Sequence, residues 1–157
     1  HYAEHLIRTI GRHQNPDIYS DALEEGIKYV KKLWTESDIP TSSLFMHDGC
    51  GLAPQNAASA ELFCDLLVYM HNRSDYAKEF FASMPLAGRD GTLKSFMNTT
   101  KYRGKVRAKS GSIGGVQCYA GYLIDGNKRY AFTIMVNKFT GSRSAVRKSI
   151  EQFIESL

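Results

Sequence analysis

Apolar residues near the start of the chain recur at helical spacing. Ala3, Leu6, Ile7 and Ile10 share one face of a first helix, and Gly11 is placed to stop it. A second helix is expected from about Ser20 to Glu36, with Leu23, Ile27, Val30 and Trp34 as its stripe and Ile39-Pro40 as its end. SLFMHDG, residues 43–49, reads as a short buried strand running into a glycine turn. Pro54 suits the first turn of a third helix that continues to about Asn72, with Leu62, Phe63, Leu66, Leu67 and Met70 inward. A short helix is allowed over 75–83, MPLAGRDGT reads as a loop, and Thr92 is placed to cap another short helix through Asn98.

After Tyr102 the period changes from helical to two. KVRAKSGS, GVQCYAGYLI and RYAFTIMVN predict three strands, the last two joined by the hairpin signal Asp125-Gly126-Asn127. Ser142 then caps a final amphipathic helix carrying Val146, Ile150, Phe153, Ile154 and Leu157. Helices, then an antiparallel meander, then a helix that must cover one sheet face make an α+β layout.

Composition narrows this picture only a little. At 157 residues and 43% hydrophobic the chain is long enough for one ordinary domain with a core, and 23% charged is a globular value. The net charge of +4 favours anionic partners without calling for nucleic acid. No run is long enough for a membrane-spanning helix and no signal peptide is present; the chain begins with His1, as an excised portion would. Cys50, Cys64 and Cys118 form no CxxC pair, and their odd number excludes a complete disulfide framework.

Several candidate chemistries fall away on spacing. Lys101, Arg103, Lys105, Arg107 and Lys109 occupy every second position and would share one face of an extended segment. A nucleic-acid ribbon would also need stacking aromatics, and only Tyr102 is near, on the opposite face. GRDGTLKS lacks the glycine that a phosphate loop requires immediately before Lys-Ser. His47, Cys50, Cys64 and His71 match no zinc spacing, so no metal and no cofactor is expected. No serine sits in a nucleophile elbow, and none stands three residues before a lysine.

What remains is RAKSGSIGG, residues 107–115. Lys109, Ser110, Gly111 and Ser112 can present a cation, two hydroxyls and a backbone N–H to one anionic substrate. Gly111 leaves room for a ligand against the strand, and Gly114 and Gly115 form the flanking bend. These four residues by themselves fit a basic strand entering a glycine turn at least as well.

Their surroundings change the balance. SLFMHDGCGLAPQN, FFASMPLAGRDGTLKSFM, VRAKSGSIGGVQCYAGYLI and YAFTIMVN follow one another in an order and spacing that resembles the D-alanyl-D-alanine carboxypeptidase/endopeptidase family, the low-molecular-mass class C penicillin-binding proteins. The blocks cover essentially the whole chain, and YAEHLIRTIG looks like the helix that follows the family's Ser-x-Asn motif. The resemblance implies that residues 1–157 are the C-terminal part of a single catalytic domain with a penicillin-binding/β-lactamase-like transpeptidase fold, its Ser-x-x-Lys and Ser-x-Asn motifs lying upstream. It implies catalytic roles for Lys109 and Ser110 and substrate contacts from Gly111 and Ser112. Implied partners are peptidoglycan peptides ending in D-Ala-D-Ala, with β-lactams as inhibitors, in a periplasmic or otherwise extracytoplasmic setting. Three positions depart from the family pattern: Ser110 stands for its Thr, Cys50 for the Ser of Asp-Gly-Ser-Gly, and Ala53 for a Ser expected to cap a helix. The competing expectation is a non-catalytic module that binds peptidoglycan or a partner protein.

Overall fold

The computed structural model describes residues 1–156, so Leu157, expected at the end of the last apolar stripe, lies outside the described residues. The chain divides into two compact units, residues 1–62 and the remainder.

In the first unit, α1 (Tyr2–Gln14) packs on α2 (Ala22–Glu36). Asp21 caps α2, its Oδ1 accepting the N–H groups of Leu23 at 2.8 Å and Glu24 at 3.3 Å. Those two backbone donors hold the Asp21 carboxyl below its ordinary pKa. The expected stop at Gly11 is not one: α1 continues through it to Gln14. A Cβ on Gly11 would stand 1.8 Å from the Ala22 carbonyl oxygen, and one on Gly26 would stand 2.1 Å from that of Ile7. These glycines mark a crossing where backbone touches backbone.

Residues 43–49 form no buried strand. Phe45 makes a single bridge to Ala57 and is 58% exposed. The turn that follows is organised by a side chain. Asp48 accepts the N–H groups of Gly51 (2.6 Å), Leu52 (2.9 Å) and Ala53 (2.6 Å) and the amide of Asn56 (2.8 Å). Glu4 accepts the N–H of Gly49 at 2.7 Å. Ala53 therefore sits inside this turn and caps nothing. The third helix, α3 (Ala60–Asn72), starts later than Pro54 suggests, and Ser59 accepts the Leu62 N–H at 3.1 Å. Pro54 marks the turn because the Asp48 network holds this backbone out of helix.

The second unit holds most of α3, α4 (Ala77–Ser83), the antiparallel sheet β1 (Val106–Ile113), β2 (Val116–Asp125) and β3 (Lys128–Asn137), and α5 (Arg143–Glu155). Two-residue turns join the strands, Gly114-Gly115 and Gly126-Asn127, with φ of 69° at Gly115 and 57° at Gly126. Between α4 and β1 there is one 3₁₀ turn, Gly91–Leu93; Thr92 lies within it and caps no helix.

Both sheet faces are covered. Val106, Ala108 and Tyr119 pack with Leu93, Phe96, Met97, Ile150 and Ile154, and Phe96 stacks on Tyr119 at 4.2 Å between centroids. Ser142 caps α5 as expected, accepting the Ala145 N–H at 3.2 Å. On the opposite face Tyr122 packs with Leu67, Met84 and Phe81. Its hydroxyl donates to the Leu67 carbonyl at 2.6 Å, and burial pushes the phenol up to about 12. The basic alternation does not survive folding. Residues 101–105 lie in turns, so only Arg107 and Lys109 share a strand face, and Arg107 is spent on the Met84 carbonyl at 2.7 Å. No helix among the described residues is long and apolar enough to cross a membrane.

Candidate functional site

The edge of β1 is where the second unit exposes organised polar chemistry. In an antiparallel ladder, successive residues direct their N–H and C=O groups alternately toward the partner strand and away from it. The Ile124 N–H donates to the Lys105 carbonyl at 2.7 Å, which puts the odd-numbered residues of this stretch toward β2. The even ones face outward. The Ala87 N–H donates to Val106 (2.8 Å) and the Ala108 N–H to Pro85 (3.3 Å), so residues 85–87 cover the first half of the outer edge.

That cover ends before Ser110. The N–H groups of Ser110 and Ser112 point outward from the strand, and among the described residues no backbone group pairs with them. Lys109 starts from the other face and folds its ammonium over the edge onto the outward Ser110 carbonyl. It forms no ion pair among the described residues. The Ser110 hydroxyl donates to Thr92 Oγ1 at 2.9 Å. The four sequence-chosen residues thus stand together along one stretch of open edge, with the hydroxyl-bearing pair on one face and Lys109 with Gly111 on the other.

Gly111 gives a direct test of the space argument. A Cβ built there would meet only Cys118 Cβ at 3.9 Å, an ordinary contact. Among the described residues nothing in the packing requires glycine at that position, in contrast to Gly11 and Gly26, so a side chain there would enter open space. Beneath it, the buried Gln117 amide donates to the Gly111 carbonyl at 3.4 Å.

Thr92 and Gln117 belong to this neighbourhood, although the sequence reading gives Thr92 only a capping role and Gln117 none. Gln117 has no signal beyond being polar in an apolar strand. Thr92 did have one, its place in GRDGTLK directly ahead of the meander, but a hydroxyl reaching a strand 18 residues on is a tertiary contact. Chemically, the edge offers outward N–H donors, hydroxyls and one ammonium that forms no ion pair among the described residues. Such an array suits an oxyanion or a carboxylate.

Comparison with known proteins bears on the chain's family and fold. The chain is 31% identical over 145 residues to a D-alanyl-D-alanine carboxypeptidase of Actinomadura sp. (strain R39), covering 89% of this chain and 26% of that protein. It is 26% identical over 162 residues to penicillin-sensitive carboxypeptidase A of Dictyostelium discoideum, covering 98% of this chain and 30% of the relative. It therefore spans less than a third of the length of these relatives. In three dimensions it resembles penicillin binding protein 4 of Haemophilus influenzae, with a TM-score of 0.87 at 21% identity over 98% of this chain and 36% of that one. A predatory endopeptidase of Bdellovibrio bacteriovorus superposes with a TM-score of 0.69 at 17% identity, over 96% and 42% of the two chains. With residues 1–157 matching the family throughout, the chain belongs to the D-Ala-D-Ala carboxypeptidase 3 (S13) family.

Proposed function

We propose that residues 1–157 are the C-terminal part of the catalytic domain of a serine D-Ala-D-Ala carboxypeptidase/endopeptidase acting on peptidoglycan stem peptides outside the cytoplasm. The observation that carries this reading is the uncovered half of β1, where the Ser112 N–H, the Ser110 and Ser112 hydroxyls and Lys109 stand without acidic partners.

In this reading a serine supplied by an upstream Ser-x-x-Lys attacks the penultimate D-Ala carbonyl, the C-terminal D-Ala leaves as its amine, and water hydrolyses the acyl-enzyme. No Ser-x-x-Lys occurs within the 157 residues. The Ser112 N–H supplies one oxyanion donor and the nucleophile's own N–H the other. Ser110 and Ser112 bind the terminal carboxylate through their hydroxyls. For this the Ser110 proton turns from Thr92 toward the carboxylate, and the hydroxyl of Thr92 can donate to Ser110 in exchange. Lys109 anchors the hydrogen-bond network and helps pass a proton to the departing amine. Gly111 lets the substrate backbone lie along the strand. A β-lactam acylates the same nucleophile.

Labelling with a fluorescent penicillin tests the assignment. The complete polypeptide, carrying its upstream motifs, is expected to label, and Lys109→Ala to slow labelling by roughly 10²-fold or more. The 157-residue chain is expected not to label. Covalent labelling of the isolated chain, or normal labelling of the Lys109→Ala protein, overturns the reading.

A further inference from the structure

On the loop between α4 and β1, a second cluster of cations surrounds an open cavity of about 600 Å³ lined by Gly88, Arg89, Lys94 and Arg103. We propose that this cavity is a binding site for a phosphate-class oxyanion, separate from the β1 edge and independent of the function proposed above.

The two arginines are placed by reciprocal packing. The stem of Arg103 runs over Gly88, where a Cβ would come within 2.6 Å of its Cγ, and Arg103 Nε donates to the Gly88 carbonyl at 3.4 Å. The guanidinium of Arg89 in turn lies over Gly104, its Nε 3.2 Å from where a Cβ would be. The backbone beneath them is tied down, the Gly88 N–H donating to Leu93 and the Gly104 N–H to Ala87, both at 2.9 Å. Gly88 and Gly104 have φ of 70° and 73°, so both the backbone turns and the seats for the arginines call for glycine.

Asp90 is the acid next to Arg89 in the chain, and one carboxylate leaves the three cations with an excess of positive charge. Among the described residues none of Arg89, Lys94 and Arg103 forms an ion pair. Asp90, the neighbouring acid, commits Oδ1 to the Leu86 N–H at 2.6 Å. Three like charges facing one cavity repel each other, and a ligand carrying two negative charges relieves that repulsion best. Two planar guanidinium forks and an ammonium match the several acceptor oxygens of a tetrahedral phosphate, whereas a single carboxylate offers two oxygens and one charge.

The test is titration of the protein with inorganic phosphate at constant ionic strength, followed by amide NMR, with acetate and chloride as controls. Saturable shifts confined to Gly88, Gly104 and their neighbours are expected with phosphate only. Arg89→Gln and Lys94→Gln, both at exposed positions, are each expected to weaken binding at least tenfold while leaving the remaining amide positions unchanged. A poly(glycerol phosphate) oligomer that binds more tightly per phosphate than the free ion identifies a polymeric phosphodiester as the source. Binding of the free ion alone identifies phosphate itself. Shifts that do not saturate, that appear equally with acetate or chloride, or that persist in both variants overturn the proposal.

Discussion

Two polar glycine-containing segments invite comparison, the turn around Asp48 in the first unit and the outer edge of β1 in the second. Around Asp48 the polar groups are matched within the turn: one carboxylate collects three backbone N–H groups and a side-chain amide. Burial alone would raise the Asp48 pKa, and the bonds from Asn56, Ala53, Gly51 and Leu52 outweigh it, bringing the carboxyl down to about 2. Along β1 the reverse holds, with donors aimed at solvent and a lysine resting on a neighbouring carbonyl. A closed network is architecture, since any ligand would have to break it. An open one costs stability in isolation and is useful only when something binds. The family-typical serine replaced by Cys50 lies in the closed network, where its exposed thiol makes only a 3.5 Å contact to Asp48. The change there leaves the backbone bonds in place.

This contrast can be broken most sharply at the glycines. Gly11→Ala places a methyl against the Ala22 carbonyl, which cannot yield without parting α1 from α2. The expected cost is about 4 kcal/mol or more, read as a lowered midpoint in urea. Ser112→Pro removes the outward N–H while sparing the ladder to β2, because that donor faces away from β2. If β1 supplies the oxyanion donor as proposed, the change is expected to lower the acylation rate of the complete polypeptide by ~10²–10³ with little change in Tm. A large loss of stability instead would show that the N–H has a structural partner.

Asp48→Ala strips four donors of their acceptor, and a loss of about 2 kcal/mol is expected in denaturant melts. The pH dependence follows from the same carboxyl. Its folded pKa of about 2 lies below the ordinary 3.8, so its stabilising contribution is complete above about pH 4 and disappears as pH falls toward 2. Asp48→Ala should flatten that limb of the stability curve, and an unchanged limb would assign acid sensitivity elsewhere. The smallest expected effect is Gly111→Ala: less than ~0.5 kcal/mol in stability, because the added methyl meets nothing closer than 3.9 Å. If β1 binds substrate as proposed, the same change should nonetheless raise KM in the complete enzyme, and an unaltered KM would remove Gly111 from the substrate path.

Much of this protein was legible in its sequence, for identifiable reasons. The three strands and their turns follow from period-two patterning closed by Gly114-Gly115 and Gly126-Asn127, which are local signals. Ser142 and the buried pair Ile150 and Ile154 of α5 are readable for the same reason, whereas Phe153, expected in the same stripe, is 55% exposed. Signals with two local meanings do not decide between them. Gly11 reads as a stop because a glycine that ends a helix and one that admits a second helix look alike in sequence. Pro54 reads as a helix start because the Asp48 network that overrules it is built from groups spread over residues 48–56. The basic stripe failed because alternation implies a shared face only where the backbone is extended, and residues 101–105 turn.

The sequence by itself nominated the candidate site: the order of four motif blocks resembles the family's and draws attention to Lys109, Ser110, Gly111 and Ser112 without any coordinates. Only the tertiary structure decided which half of β1 stays open. That depends on residues 85–87 crossing the first half of the strand and stopping at Ala108, a pairing between segments some 20 residues apart that no local period encodes. It also decided that Thr92 meets Ser110 and that Arg89 and Arg103 face one cavity, since contacts of this kind exist only once the core of Leu93, Phe96 and Met97 has drawn the loop against the sheet.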